Sequence, residues 1–241
     1  MTHSASSQQI YLKKEIASPL AIKAVVIDLD GTLLDTAMDL ATAANLMLVE
    51  LGKPELAFAT IQTFIGKGIQ KLVKRALTNH LDVEPDPALF EKALPIYEHH
   101  YRENLSKQTR PYPGVVEGLK ILQQKGFRLA CITNKAEAFT LPLLKATHLF
   151  DYFELVLSGD SLPRKKPDPL PLLHACQFFQ IKPHQLLLIG DSLNDAIAAR
   201  AAGCAIFCVP YGYNEGQDVK ALDCDAIVPS IAAATEIIEN A

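Results

Sequence analysis

The chain has 241 residues, 49% hydrophobic and 21% charged, a balance that suits one large α/β domain or one domain carrying a sizeable insertion. A formal charge of -4 gives no hint of a nucleic-acid partner. No apolar run approaches the roughly 18 residues of a membrane span, so neither nucleic acid nor membrane is expected as a partner.

Residues 1–20 lack the apolar central block of a signal peptide and read as an N-terminal extension of a cytoplasmic protein. The first strong signal is Val25-Val26-Ile27, an unbroken apolar run as in a strand buried on both faces of a parallel sheet. It ends on Asp28 and Asp30. If the strand persists that far, alternation aims both carboxylates the same way off its carboxyl end, where open α/β sheets bind ligands. Gly31 then permits a turn, and Asp35 or Thr36 can cap the next helix. Two such close acids are tolerable near a cation or with one protonated. They fit a solvated turn, or a Mg²⁺ site in which one carboxylate is also a nucleophile.

Leu40, Ala44, Met47, Leu48 and Leu51 recur at helical spacing, and Gly52 with Pro54 ends that helix. No convincing strand follows until about Arg110. Phe58 to Phe64, Ile69 to Leu77 and Ala88 to Tyr101 read as helices, with Gly66-Lys67-Gly68 as a loop between the first two. Pro111-Tyr112-Pro113-Gly114 closes the excursion with turn chemistry. Residues 37–110 therefore read as an inserted all-helical cap domain, and residues 21–36 with 111–241 as the core.

Beyond Val115 strands and helices alternate. The predicted strands are Phe127 to Thr133, Leu155 to Leu157, Gln185 to Ile189, Ala205 to Val209 and Ala226 to Val228. Helices fall between them, one of them over Asp195 to Ala202, and a terminal helix starts at Ile231. This order makes a doubly wound parallel sheet. Five cysteines, Cys131 and Cys208 within strands among them, fit buried reduced thiols. The seven histidines, including His99-His100, show no metal spacing.

Three further polar clusters lie where these elements begin or end. Thr133-Asn134-Lys135 follows a strand and can hold an anionic oxygen, or serve as a capping turn. Lys165-Lys166-Pro167-Asp168-Pro169 opens a helix, and its prolines limit where Lys166 can point. A held ammonium there offsets two aspartates and a phosphate; a solvated basic turn fits Arg164 and Lys165 better. Asp191-Ser192-Leu193-Asn194-Asp195 adds a third carboxylate at a strand tip, an oxygen donor suited to Mg²⁺ or a helix cap.

Taken in this order, the four clusters resemble the haloacid dehalogenase superfamily, over the chain from about Lys23 to its end. The resemblance implies a Rossmann-like core, an aspartate nucleophile and Mg²⁺ as cofactor. It makes Asp28 the nucleophile and Asp30 the general acid/base. Thr133, with the Asn134 backbone, would bind the phosphoryl oxygens, and Lys166 would neutralise Asp28 and the transferring group. The metal would be held by Asp28, the Asp30 carbonyl and Asp191, with Asp195 in support.

Within the superfamily, the cap position is similar to the phosphoglycolate phosphatase and β-phosphoglucomutase branch. Gly159-Asp160-Ser161-Leu162-Pro163 and Val209-Pro210-Tyr211-Gly212-Tyr213-Asn214 resemble bacterial phosphoglycolate phosphatases. Gly66-Lys67-Gly68 departs from the Gly-Asn-Gly of many relatives, and Gly66 and Lys67 are candidate substrate contacts. The expected activity is hydrolysis of a small phosphorylated metabolite such as 2-phosphoglycolate by a monomer or homodimer. The alternatives are a phosphomutase or a phosphatase for a sugar phosphate, nucleotide or pyrophosphate.

Overall fold

The structure, a computed structural model, describes residues 9–14 and 19–241. The N-terminal extension lies partly outside the described residues. The chain opens with β1 (Tyr11–Leu12), β2 (Leu20–Ile22) and β3 (Ala24–Ile27), of which only β3 is buried throughout. Four helices follow: α1 (Ala37–Glu50), α2 (Phe58–Gln62), α3 (Ile69–Thr78) and α4 (Pro87–Asn104). A short antiparallel pair, β4 (Leu34–Asp35) with β5 (Arg110–Pro111), brackets them where the chain leaves the sheet and returns. This pair is absent from the sequence reading, because two residues are too few to show alternation.

The alternating half contains α5 (Val115–Gln124), β6 (Arg128–Ile132), α6 (Glu137–Ala146), β7 (Leu155–Leu157), α7 (Leu170–Phe179) and β8 (Leu186–Gly190). It ends with α8 (Leu193–Ala202), β9 (Ala205–Cys208), β10 (Ala226–Ile227), α9 (Ile231–Ala234) and β11 (Ile238–Asn240). The main sheet runs β1-β10-β9-β8-β3-β6-β7, and every pairing but that of β1 is parallel. The sequence places β3 first in the alternation; the sheet places it between β8 and β6. Ile27 lies opposite both Ile189 and Cys131, so Asp28, Asp191 and Thr133 leave the same edge within two residues of that row.

Alternation along β3 divides the core. Val25 and Ile27 join Leu129, Cys131, Leu187 and Ile189 on one face, under Leu119 and Leu122 of α5 and Leu143 of α6. Ala24 and Val26 join Ala130, Ile132, Leu186 and Leu188 on the other, under Leu172 and Phe179 of α7 and the alanines of α8. Two covered faces explain why the strand residues read as unbroken apolar runs. All five cysteines are free and buried.

The four inserted helices build an apolar cluster of their own from Leu40, Met47, Ile61, Phe64, Leu72, Val73, Tyr97 and Tyr101, onto which Phe139 and Tyr213 pack from the sheet side. The return is pinned by Asp39, which is buried on α1. Its carboxylate accepts from the backbone N–H groups of Gln108 and Thr109, both at 2.9 Å, and from Thr109 Oγ1 at 2.7 Å. A buried anion is tolerable there because several donors replace its water.

The terminal helix expected from Ile231 is a single turn. Ser230 caps it through Ala233 N–H, and the chain then extends into β11, parallel to β2 with Ile238 opposite Leu20. Branched Ile237 and Ile238 favour extended backbone, and Ile238 reaches the same core as Ile231. Among the described residues no helix is long and apolar enough to cross a membrane.

Candidate active site

The site lies where β3, β6 and β8 end. β3 stops at Ile27, so the strand does not carry both aspartates, and the two side chains find different partners. Asp28 meets Lys166: Nζ donates to Asp28 Oδ1, Asp195 Oδ1 and the Ile132 carbonyl, each at 2.7 Å. Three protons meet three acceptors, which fixes a side chain that is 2% exposed. Among the described residues nothing donates to Asp28 Oδ2. Asp30 turns instead to Thr36 Oγ1, 2.7 Å from its Oδ1, and to Lys135 Nζ, 2.9 Å from both its oxygens. Both aspartates still line one cavity with Ile65, Gly66, Thr133, Asn134 and Lys166.

Asp191 leaves β8 beside them. Its Oδ1 accepts from Thr32 Oγ1 at 2.8 Å, and its Oδ2 accepts from Tyr213 N–H. Gly31 has φ +90°, and a Cβ there would collide with the Asp191 carboxylate, as would one at Gly212. Glycine thus serves twice at position 31, for its backbone angle and for the space it leaves. Asp195 begins α8 with its Oδ2 on the N–H and hydroxyl of Ser192, the latter at 2.6 Å, in a capping box. The cap on α1 comes from the far side of the sheet edge: the Tyr213 hydroxyl accepts from Thr36 N–H at 2.9 Å and donates to Asp35 at 2.6 Å.

Ligand oxygens of Asp28, Asp191 and Asp195 lie within 4.8 Å of one another, all buried. Three carboxylates cluster beside one ammonium, and the charge shows in the proton affinities of Asp28 and Asp191. Burial, reinforced by Asp195 and opposed by Lys166, pushes Asp28 up to about 7. Burial, then Asp28 and Asp195, drive Asp191 well above the carboxylate range. Burial lowers Lys166, but Asp195 and Asp28 outweigh it and the net shift is upward. Carboxylates that hold protons this tightly lack positive charge. A hard divalent cation with oxygen ligands fits, since each bonded carboxylate oxygen keeps a lone pair for it. A further cluster, His99, His100 and Glu103, lies together on α4. His100 there is 2.8 Å from Glu50 on α1, an ordinary contact between two helices.

Thr133 lines the cavity, and its Oγ1 accepts from Lys135 N–H at 3.2 Å. The Asn134 side chain donates to the Lys166 carbonyl at 2.9 Å and to Gly66 O at 3.4 Å. Asn194 also donates to Gly66 O, at 3.3 Å, so the loop carrying Gly66 rests on two sheet-edge loops. Lys67 does not line the cavity around Asp28. It pairs with Glu215 at 2.9 Å, beside a cavity of about 450 Å³ that also meets Lys71 and Lys165. Glu215 bonds Arg75 as well, at 2.6 Å, and Arg75 is fixed by the Phe64 and Leu81 carbonyls.

Sequence reading missed Lys135, Thr32, Tyr213 and the Arg75–Glu215 pair. The one signal for Lys135 is its place beside Thr133 and Asn134; its carboxylate partner is 105 positions away.

Residues 22–203 match the haloacid dehalogenase-like hydrolase family. A phosphoglycolate phosphatase of Nitrosospira multiformis is 69% identical over 222 residues, covering 92% of this chain and 98% of that protein. One from Thiobacillus denitrificans is 63% identical over 223 residues, with the same two coverages. A crystal structure of a predicted phosphoglycolate phosphatase from Haemophilus somnus superposes with a TM-score of 0.85 at 35% identity, covering 90% of this chain and 97% of that one. Family match, relatives and sheet-edge geometry agree, and the chain belongs to the haloacid dehalogenase-like hydrolases.

Proposed function

We propose that this chain is a Mg²⁺-dependent phosphomonoesterase that hydrolyses 2-phosphoglycolate to glycolate and phosphate. The observation that carries the reading is the buried Asp28, its Oδ1 held by Lys166 and its Oδ2 without a donor among the described residues, in a cavity with Asp30 and Thr133. The substrate comes from the relatives, which bear that activity in their names at 69% and 63% identity.

Asp28 Oδ2 attacks phosphorus in line as the bond to the glycolate oxygen breaks. Asp30 gives its proton to the departing alkoxide, and then takes one from the water that attacks the aspartyl-phosphate. Thr133 and the Asn134 backbone orient the phosphoryl oxygens, and Lys166 offsets the negative charge gathered around Asp28. Asp28, the Asp30 carbonyl and Asp191, with Asp195 in support, would hold Mg²⁺, which would supply further positive charge to the transferring group. Residues 37–110 act as the cap, which excludes bulk water when Gly66 seats on Asn134 and Asn194.

A panel of phosphomonoesters with Mg²⁺ tests this reading. Turnover is expected to be fastest with 2-phosphoglycolate, to vanish with EDTA and to be opposed by Ca²⁺, whose looser coordination spoils in-line attack. Full activity in metal-free buffer would refute the mechanism. Glucose 6-phosphate formed from β-glucose 1-phosphate would make the chain a mutase instead. A cytoplasmic location and a monomeric or homodimeric state belong to the same proposal, to be read by cell fractionation and light scattering.

The Lys67 ammonium is assigned to the substrate carboxylate, exchanging Glu215 for it when substrate arrives. Lys67→Ala is expected to raise KM for 2-phosphoglycolate about tenfold or more, the worth of one charge-assisted hydrogen bond, and to leave p-nitrophenyl phosphate hydrolysis unchanged. Equal effects on both esters, or none, would remove Lys67 from the specificity site.

A further inference from the structure

Lys135 is the second buried ammonium of the site, and neither the mechanism above nor the family match gives it a task. Its side chain is 2% exposed, and Nζ lies 2.9 Å from each Asp30 oxygen. The Tyr101 ring of α4 covers it, 4.9 Å from Nζ to the ring centre. Thr36 holds only Asp30 Oδ1, so among the described residues Lys135 is the sole donor to Oδ2. With Thr36 alone the carboxylate would pivot about one hydrogen bond. With Lys135 bridging both oxygens, its plane is set.

We propose that Lys135 is a positioning residue that acts through Asp30, aiming its carboxylate for the two proton transfers of the reaction. The inference rests on Asp30 being the acid/base group. As the ester bond breaks, the electron pair left on the alkoxide oxygen takes the Asp30 proton. In the second half-reaction the Asp30 carboxylate takes a proton from the attacking water, whose oxygen forms the new bond to phosphorus while the Asp28–phosphorus bond breaks. Both transfers need an Asp30 oxygen at a fixed place, and the Lys135 ammonium, bonded to both oxygens, keeps it there. The ring of Tyr101 ties that ammonium to a helix of the inserted block, so α4 must be seated for Asp30 to be aimed.

A double-mutant cycle tests the assignment, because a residue acting only through Asp30 has no effect once Asp30 cannot transfer protons. Lys135→Met is expected to lower kcat for 2-phosphoglycolate about 10–100-fold, with KM within about threefold, a part of what general acid–base catalysis is worth. The first-turnover burst of p-nitrophenolate from p-nitrophenyl phosphate needs no proton on the leaving group and should persist. Asp30→Asn alone should cost about 10²–10⁴-fold. Adding Lys135→Met to it should change kcat less than about threefold more. Should Lys135→Met alone fail to fold, Lys135→Gln, which keeps one donor, completes the same cycle.

Independent, multiplicative losses would overturn the proposal and make Lys135 a structural or substrate-binding group. A rise in KM without a fall in kcat would do the same. A harmless Asp30→Asn would instead defeat the acid/base reading of Asp30, a failure distinguishable from that of Lys135.

Discussion

Asp28→Asn is expected to abolish turnover, with a fall in kcat on the order of 10⁴-fold or more, as when other nucleophiles are removed. Rapid-quench labelling with ³²P substrate should find no phosphoenzyme in the variant, and acid-stable, base-labile label on Asp28 in the parent. The fold should survive. An asparagine keeps the oxygen that Lys166 donates to at 2.7 Å and removes a carboxylate that burial has pushed up to about 7. At pH 8 the metal-free variant should therefore unfold no more easily than the metal-free parent, since it no longer ionises a poorly solvated acid. Label recovered on serine or histidine in the parent would refute the assignment of the nucleophile.

The four polar clusters were legible because each follows an apolar run and the sheet brings the ends of those runs together. Asp28, Thr133 and Asp191 needed only a parallel sheet with β3 beside β6 and β8 to converge. Lys166 needed one more inference, that prolines on its helix turn would restrain it, and its nitrogen indeed sits between two carboxylates. What stayed hidden depends on partners far apart in the chain. Nothing local to Asp30 says that its carboxylate answers Lys135, and nothing in Gly31 says that Asp191 lies against it. Nor does the sequence around Glu215 announce Arg75, a fully buried arginine 140 positions earlier. The strand-like tail was hidden differently: its partner β2 is three residues long, and helix-favouring alanines precede it.

Lys166→Met is expected to cost both catalysis and stability, and the pH dependence separates the two roles. Removing the ammonium that fixes Asp28 and offsets charge in the transition state should lower kcat/KM about 10²–10³-fold, the worth of one preorganised electrostatic donor. Lys166→Arg should recover little, because the three acceptors surround a compact ammonium at 2.7 Å, and a planar guanidinium on a longer stem cannot meet all of them. In metal-free buffer, breaking a buried ion pair should destabilise the fold by about 3–5 kcal/mol at pH 8. The sign follows from Asp28. Its ordinary value of 3.8 is raised to about 7 in the folded parent, so the cost of ionising it in place grows from pH 4 upward and is complete above pH 7. In the variant the attraction that limits this rise is gone. The folded state then clings to the Asp28 proton still more strongly, and the penalty keeps growing above pH 7, where the parent has already levelled off. At pH 5 Asp28 is protonated in both folded proteins, and they differ by the Lys166–Asp195 pair and by the hydrogen bonds Lys166 gives Asp28 and the Ile132 carbonyl. Urea midpoints at the two pH values read this directly. A loss as large at pH 5 as at pH 8 would mean that Lys166 serves the fold through Asp195 and packing, and that charge balance at Asp28 comes from elsewhere.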